Sequence, residues 1–136
     1  MQYRPDAKDL ILAIQEFLLK DLIPKLEDED LLSYKTLVSW NMLGVLSREL
    51  EKETDFNSKE WKNLLELPCG EGLPRDINDF ERLPSKMRRE FLKEAYFNMA
   101  KELRKSKNSN TDSKEWQILK EQLQDNLAIS NPRFTL

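Results

Sequence analysis

Residues 31–53 read LLSYKTLVSWNMLGVLSRELEKE, and the fold turns on how this stretch is understood. Leu31, Leu37, Val38, Met42, Leu43, Val45, Leu46 and Leu50 recur every three to four positions, with Leu32, Tyr34 and Trp40 between them. The period is helical and the apolar surface is wider than one face, so the spacing predicts a central helix packed on several sides. Gly44 falls inside it, where glycine costs about 1 kcal/mol relative to alanine. Close approach by a neighbouring helix would account for its presence. Just ahead stands Glu27-Asp28-Glu29-Asp30, read as charge complementing a helix N-terminus, since no turn glycine or oxygen spacing of a cation loop accompanies it.

Outward from this segment the pattern stays helical. Asp6 is placed to cap a first helix over residues 7–23, whose stripe is Leu10, Ile14, Phe17 and Leu18 and which Pro24 stops. Beyond residue 53, Ser58 is read as the cap of a short helix carrying Trp61, Leu64 and Leu65. Residues 67–74 hold two glycines and two prolines and read as a loop. Asp76 caps one turn through Phe80, and Ser85 is placed to cap a long helix to residue 105 with Met87, Phe91, Ala95, Met99 and Leu103 inward. A polar connector, residues 106–112, leads to a last helix over 114–129 with Trp116, Leu119, Leu123 and Leu127. The expected architecture is all-α. A single domain over residues 1–136 forms a bundle of about four long helices with one or two short ones.

Composition narrows the chemistry. Hydrophobic residues make up 39% and charged residues 35%, which suits a globule of amphipathic helices rather than a disordered tail. The net charge of −3 and pI near 5.2 argue against a nucleic-acid partner, which demands a basic footprint. No apolar run approaches the ~20 residues of a membrane span, and no secretory signal is visible, so a cytoplasmic location is expected. Histidine is absent and Cys69 is the one cysteine, so His-based nucleophilic catalysis, ordinary zinc sites and an intrachain disulfide are ruled out. No metal or cofactor is expected, and Gly70-x-Gly72 lacks the partners of a phosphate loop. Carboxylate-only catalysis is the least favoured class, because pairs among 25 acidic residues cannot be assigned from sequence.

Three constellations stand out. Tyr34, Asn41 and Arg48 are heptad-spaced along one side of the central segment, as a polar network or as contacts to a ligand or partner. Lys86, Arg88 and Arg89 lie where they oppose a helix dipole, as a solvated face or as a candidate anion patch. The tail Asn131-Pro132-Arg133-Phe134 is expected to fold back, with Arg133 offered to an acidic residue.

Arg4-Pro5-Asp6, Asn41-x-Leu43-x-Val45-Leu46-x-Arg48-Glu49-Leu50 and the run from Asp125 to Phe134 resemble a family of small bacterial helical proteins of undefined function. The resemblance covers roughly the first 50 and last 15 residues, and Lys35 stands where the pattern suggests a histidine. Members tend to be encoded beside aminoglycoside-phosphotransferase-like kinases and acyl-CoA dehydrogenases. The resemblance marks Arg4, Asp6, Asn41, Arg48, Glu49, Asn131, Pro132 and Arg133, and implies no catalytic residue. The absent catalytic residues and the multi-sided central helix point to a non-catalytic accessory or interaction protein, and the resemblance implies a kinase-like phosphotransferase or an acyl-CoA dehydrogenase as its partner. The alternative is a module binding an anionic or acyl small molecule, with Asn41 and Arg48 as polar anchors. Self-association is left open, since a second copy would cover the central helix as well as its own chain would.

Overall fold

The computed structural model describes residues 5–107 and 110–133, and every described element is helical. In chain order these are α1 (Ala7–Phe17), α2 (Asp30–Leu65), α3 (Ile77–Arg82), α4 (Ser85–Ser106) and α5 (Lys114–Ser130). Four are long and one is short, so the all-α class holds, yet two of the boundaries fall elsewhere than the sequence suggests.

Asp6 caps α1, accepting the Asp9 backbone N–H at 2.8 Å. The α-winding ends at Phe17 rather than running to residue 23. Pro24 has no N–H for the carbonyl four residues back and its ring crowds that carbonyl. The chain answers with a π-turn at Leu18–Leu22 and a 3₁₀ turn at Ile23–Lys25, so one proline reshapes the two preceding turns.

The larger correction concerns α2. No helix ends near residue 53 and none begins at Ser58; one 36-residue helix runs through both segments. Residues 51–58 contain poor helix formers but no proline or glycine, and a break would strand up to eight backbone groups without partners. The Ser58 hydroxyl instead donates to Glu81 at 3.0 Å. Ser85 is likewise not a cap: Pro84 holds that position and the Ser85 hydroxyl donates to Glu53. Asp76 does cap α3, accepting the Asn78 N–H at 2.8 Å.

The described residues divide into two compact units. The first comprises residues 5–52 with Ile129–Asn131, and the second comprises Glu53–Ala128 with Pro132 and Arg133.

In the second unit Leu64 and Phe80 are 0% exposed, with Trp61, Leu92, Ala95, Met99 and Ile118 buried around them. Trp61 stacks on Phe80 at 6.0 Å between ring centroids and donates its indole N–H to the Pro74 carbonyl at 2.8 Å. Residues 67–74 are thus more than a connection: Leu67 and Leu73 are buried, with a 3₁₀ turn at Pro68–Gly70 between them. A Cβ on Gly70 would lie 2.3 Å from the Leu64 carbonyl oxygen, so only glycine permits the turn to sit against α2. On α4 the inward residues are Leu92, Ala95 and Met99, while Met87 and Phe97 are exposed. On α5 Ile118 is the buried residue, and Trp116 and Leu123 face outward.

The first unit is a hairpin of α1 and the N-terminal half of α2. Lys8 pairs with Glu51 at 3.2 Å and Gln15 donates to the Trp40 carbonyl at 2.9 Å, so the two helices run antiparallel. Gly44 lies where α1 comes close, as its place in the sequence suggests. A Cβ there would meet Gln15 Nε2 at 3.1 Å.

Candidate interaction surface

A 100° turn per residue separates the N-terminal half of α2 into two faces. Thr36, Gly44 and Ser47 lie on the face toward α1 and are buried, with Trp40, Leu43 and Arg48 half-buried beside them. On the opposite face Leu31 is 67% exposed, Tyr34 66% and Met42 60%, and Val38 and Leu46 are exposed as well. Small and polar residues face inward here and large apolar ones face out, the reverse of a soluble helix. The expectation that this helix is enclosed on several sides is therefore overturned. Its apolar width is real, but α1 covers only the side where small residues let it approach.

The pattern extends to α1. Leu10, Ile14 and Phe17, expected to pack inward, are exposed, while Lys8, Ile11 and Gln15, with Leu18 just beyond the helix, are half-buried. Thirteen of the seventeen exposed large apolar side chains among the described residues lie in this unit, which has one buried apolar side chain of that size, Leu26. Monomeric soluble proteins rarely expose apolar patches on this scale, which makes this face the candidate interaction surface.

The Tyr34, Asn41 and Arg48 trio runs along one flank of α2. Tyr34 and Asn41 are exposed, and Arg48 turns inward to donate its Nε–H to the Ile129 carbonyl at 2.7 Å. Arg48 thereby ties the end of α5 to α2, completing a carbonyl that the helix end leaves open. Leu12, Gln15, Trp40, Asn41, Gly44 and Ser47 line a recess of about 230 Å³ beside it. Arg133 is exposed in the turn after α5, whereas Arg4 and Phe134 lie outside the described residues.

At the start of α4, the anion that the cations meet is Glu53. Its carboxylate accepts from Ser85 and from Arg89 Nε at 3.0 Å. Burial alone would raise the Glu53 pKa, but these hydrogen bonds and the charges of Arg89 and Arg88 outweigh it and hold the group below the usual range. Lys86 remains exposed, and with Ser85, Arg89, Glu90 and Lys93 it lines a shallow depression.

Two further features of the second unit escape the sequence reading. Burial, with the negative charge of Asp125 added, pushes Glu60 up to about 7 against the opposing pull of Lys59. Tyr96 is raised too, by burial first and then by the Glu60 and Asp125 charges. Asp125 itself is held by Lys59 at 2.9 Å, which also approaches Glu121 at 3.6 Å. The available signal was position: Glu60 precedes fully buried Leu64 by four residues, hence on the core-facing side of α2. The second feature is a cleft of about 470 Å³ with Leu67, Met99 and Leu103 on its walls and Lys101, Lys105 and Cys69 among its other residues. Burial raises the Cys69 thiol, and the Glu115 charge adds to it, so the sulfur is a neutral and poor nucleophile near pH 7. Among the described residues no three acidic or thiol side chains gather as a metal would require, and no helix is long and apolar enough to cross a membrane.

Residues 24–134 match the family described as "Domain of unknown function (DUF6285)". The chain belongs to the DUF6285 family. The match begins at Pro24, so α1 and the Arg4-Pro5-Asp6 motif precede it, while α2 through α5 fall inside. The middle of the chain, outside the resemblance drawn from its two ends, is thus part of the DUF6285 region. No curated protein and no solved structure matches the chain.

Proposed function

We propose that this DUF6285 protein is a non-catalytic interaction protein that works by docking the open apolar face of its N-terminal hairpin. The observation that carries the reading is the inverted burial of residues 31–50, with Thr36 and Ser47 enclosed and Leu31, Val38, Met42 and Leu46 exposed. A helix that keeps its large apolar residues in water gains free energy when a partner covers them, at ~25 cal/mol per Å². The family resemblance points to a kinase-like phosphotransferase or an acyl-CoA dehydrogenase as the partner classes. Arg48 and Glu53 fit this reading because each is already engaged within the chain, through Arg48 Nε and Glu53 Oε1. The test mixes the purified full chain with purified members of both classes and follows complex formation by sedimentation. Binding that Leu46→Asp abolishes supports the reading, and no complex with either class removes those partners.

A second reading is a binding module for an anionic amphipathic small molecule. It is favoured by the 470 Å³ cleft, which combines Leu67, Met99 and Leu103 with Lys101 and Lys105 and falls within the usual size of ligand pockets. An acyl-CoA present at ~100 times its dissociation constant would stabilise the fold by ~2.7 kcal/mol. A thermal-shift series with acyl-CoAs and phosphorylated compounds that gives no shift ends this reading.

A further inference from the structure

The open face of α2 carries an internal symmetry that, given the reading of that face as an interaction surface, names a second copy as its occupant in place of the enzyme partners the family resemblance suggests. Counted from Met42, Val38 stands four residues before and Leu46 four after; Tyr34 stands eight before and Leu50 eight after. All five are exposed on α2. Lys35 stands seven residues before Met42 and Glu49 seven after, so the three fall on one line along the helix. Apolar residues are thus mirrored about Met42, and the charges are mirrored with opposite sign.

We propose that this face pairs with the same face of a second copy, antiparallel and centred on Met42, to form a homodimer. In a two-fold interface each residue meets its counterpart across the axis. Reversing one helix about Met42 brings Val38 level with Leu46 of the second copy and Lys35 level with its Glu49, at both ends of the seam. A parallel pairing would set lysine against lysine and glutamate against glutamate, so the charges select the antiparallel arrangement.

Area and fold economy favour a second copy. The eight exposed apolar side chains of α2, from Leu31 to Leu50, are each roughly half exposed. At roughly 200 Å² for a fully exposed large side chain they present on the order of 800 Å² per copy, matching the roughly 800 Å² that each partner contributes to a stable interface. A two-helix hairpin cannot enclose an apolar core, whereas a second copy supplies the layer that the open face of α2 lacks. Both deficits are met by doubling.

The experiment is sedimentation equilibrium of the full chain across 0.1–100 μM on an order-of-magnitude grid, with circular dichroism confirming that each variant is helical. The expected mass is twice the 16.2 kDa of one chain. Lys35→Glu, which faces glutamate with glutamate, is expected to weaken dimerisation at least ~10-fold, and Met42→Glu to give monomer. The double variant Lys35→Glu with Glu49→Lys is expected to restore dimerisation to within ~3-fold of the starting chain, because it only exchanges the two ends of the seam. A wild-type chain that is monomeric throughout overturns the proposal, and a double variant that fails to recover overturns the antiparallel register. A monomer that holds a protein of another kind, or that partitions onto vesicles, also overturns the homodimer. In the former case the interaction reading survives; a monomer that holds nothing ends both.

Discussion

The two units solve the burial problem in different ways. In the second, Leu64, Phe80 and Met99 are sealed by their own chain, and even the Pro/Gly segment contributes Leu67 and Leu73 to the core. In the first, two helices meet through Gly44, Ser47, Gln15 and one ion pair, and their large apolar side chains stay outside. Leucine-rich, charged sequence yields a self-sufficient core in one case and an unfinished one in the other. What differs is the number of helices available: the second unit has four α-helical segments to enclose a core, and the first has a hairpin. Apolar content therefore reports how much surface a helix needs to bury, and topology decides whether the chain can bury it alone.

The comparison breaks most sharply under truncation. Phe80→Ala removes a fully enclosed ring and its stack with Trp61, and should cost about 4 kcal/mol in urea unfolding at every protein concentration. Leu46→Asp, on the open face, should act differently. It should leave the dilute chain within about 0.5 kcal/mol of wild type and abolish the rise of Tm with protein concentration that covering the face confers. Equal, concentration-independent losses for both would erase the distinction between the units.

Gly70→Ala comes next in size. Its methyl group would press on the Leu64 carbonyl, which is backbone and cannot swing away, so a loss of about 3 kcal/mol is expected. Retained stability in that variant would show that residues 67–74 do not seal the core.

Glu60 sharpens the picture through pH. Its folded pKa of about 7 lies above the ordinary carboxylate value, so the folded state binds the proton more tightly than the unfolded chain does. The stability this contributes is present below the unfolded pKa and is lost as pH rises through about 7. Glu60→Gln, which stays neutral, should flatten that decline and stabilise the protein by about 2 kcal/mol at pH 8. Denaturation curves between pH 4 and pH 8, on a roughly one-unit grid, provide the check, and an unchanged slope would contradict the burial of this carboxyl.

The smallest effect belongs to Gly44→Ala. A Cβ there meets only the far ends of the Gln15 and Arg48 side chains, which can yield. The gain in helix propensity should leave a net stabilisation of about 0.5 kcal/mol, measured by thermal unfolding.

Local chemistry was the readable part of this fold. The Asp6 and Asp76 caps depend on residues within three positions and form as their spacing indicates. Gly44 also reads correctly, because a glycine inside a helix signals a neighbour whatever that neighbour is. Properties set by distant residues read less well. Pro24 marks a stop, but its effect on the two turns before it depends on how the backbone re-pairs. The stretch from Glu53 to Ser58 resembles an end and a start, yet continuity of α2 wins because nothing there forbids the helix. The apolar stripe of residues 31–50 declares a need for cover and is silent on which element supplies it. Arg48 could be singled out from its type and place, but its partner, the Ile129 carbonyl, is a backbone group that no side-chain pattern encodes. Glu60 was lost among many acidic residues, although its four-residue offset from Leu64 placed it on the core side.

Amide hydrogen exchange, followed along α2 and α4 as the full chain is diluted, tests the contrast between the units most directly. Protection of residues 31–50 should fall as the concentration drops, while Leu92, Ala95 and Met99 on α4 should exchange at one concentration-independent rate. Protection of residues 31–50 that is undiminished at high dilution would mean that the hairpin needs no cover, and would contradict the account.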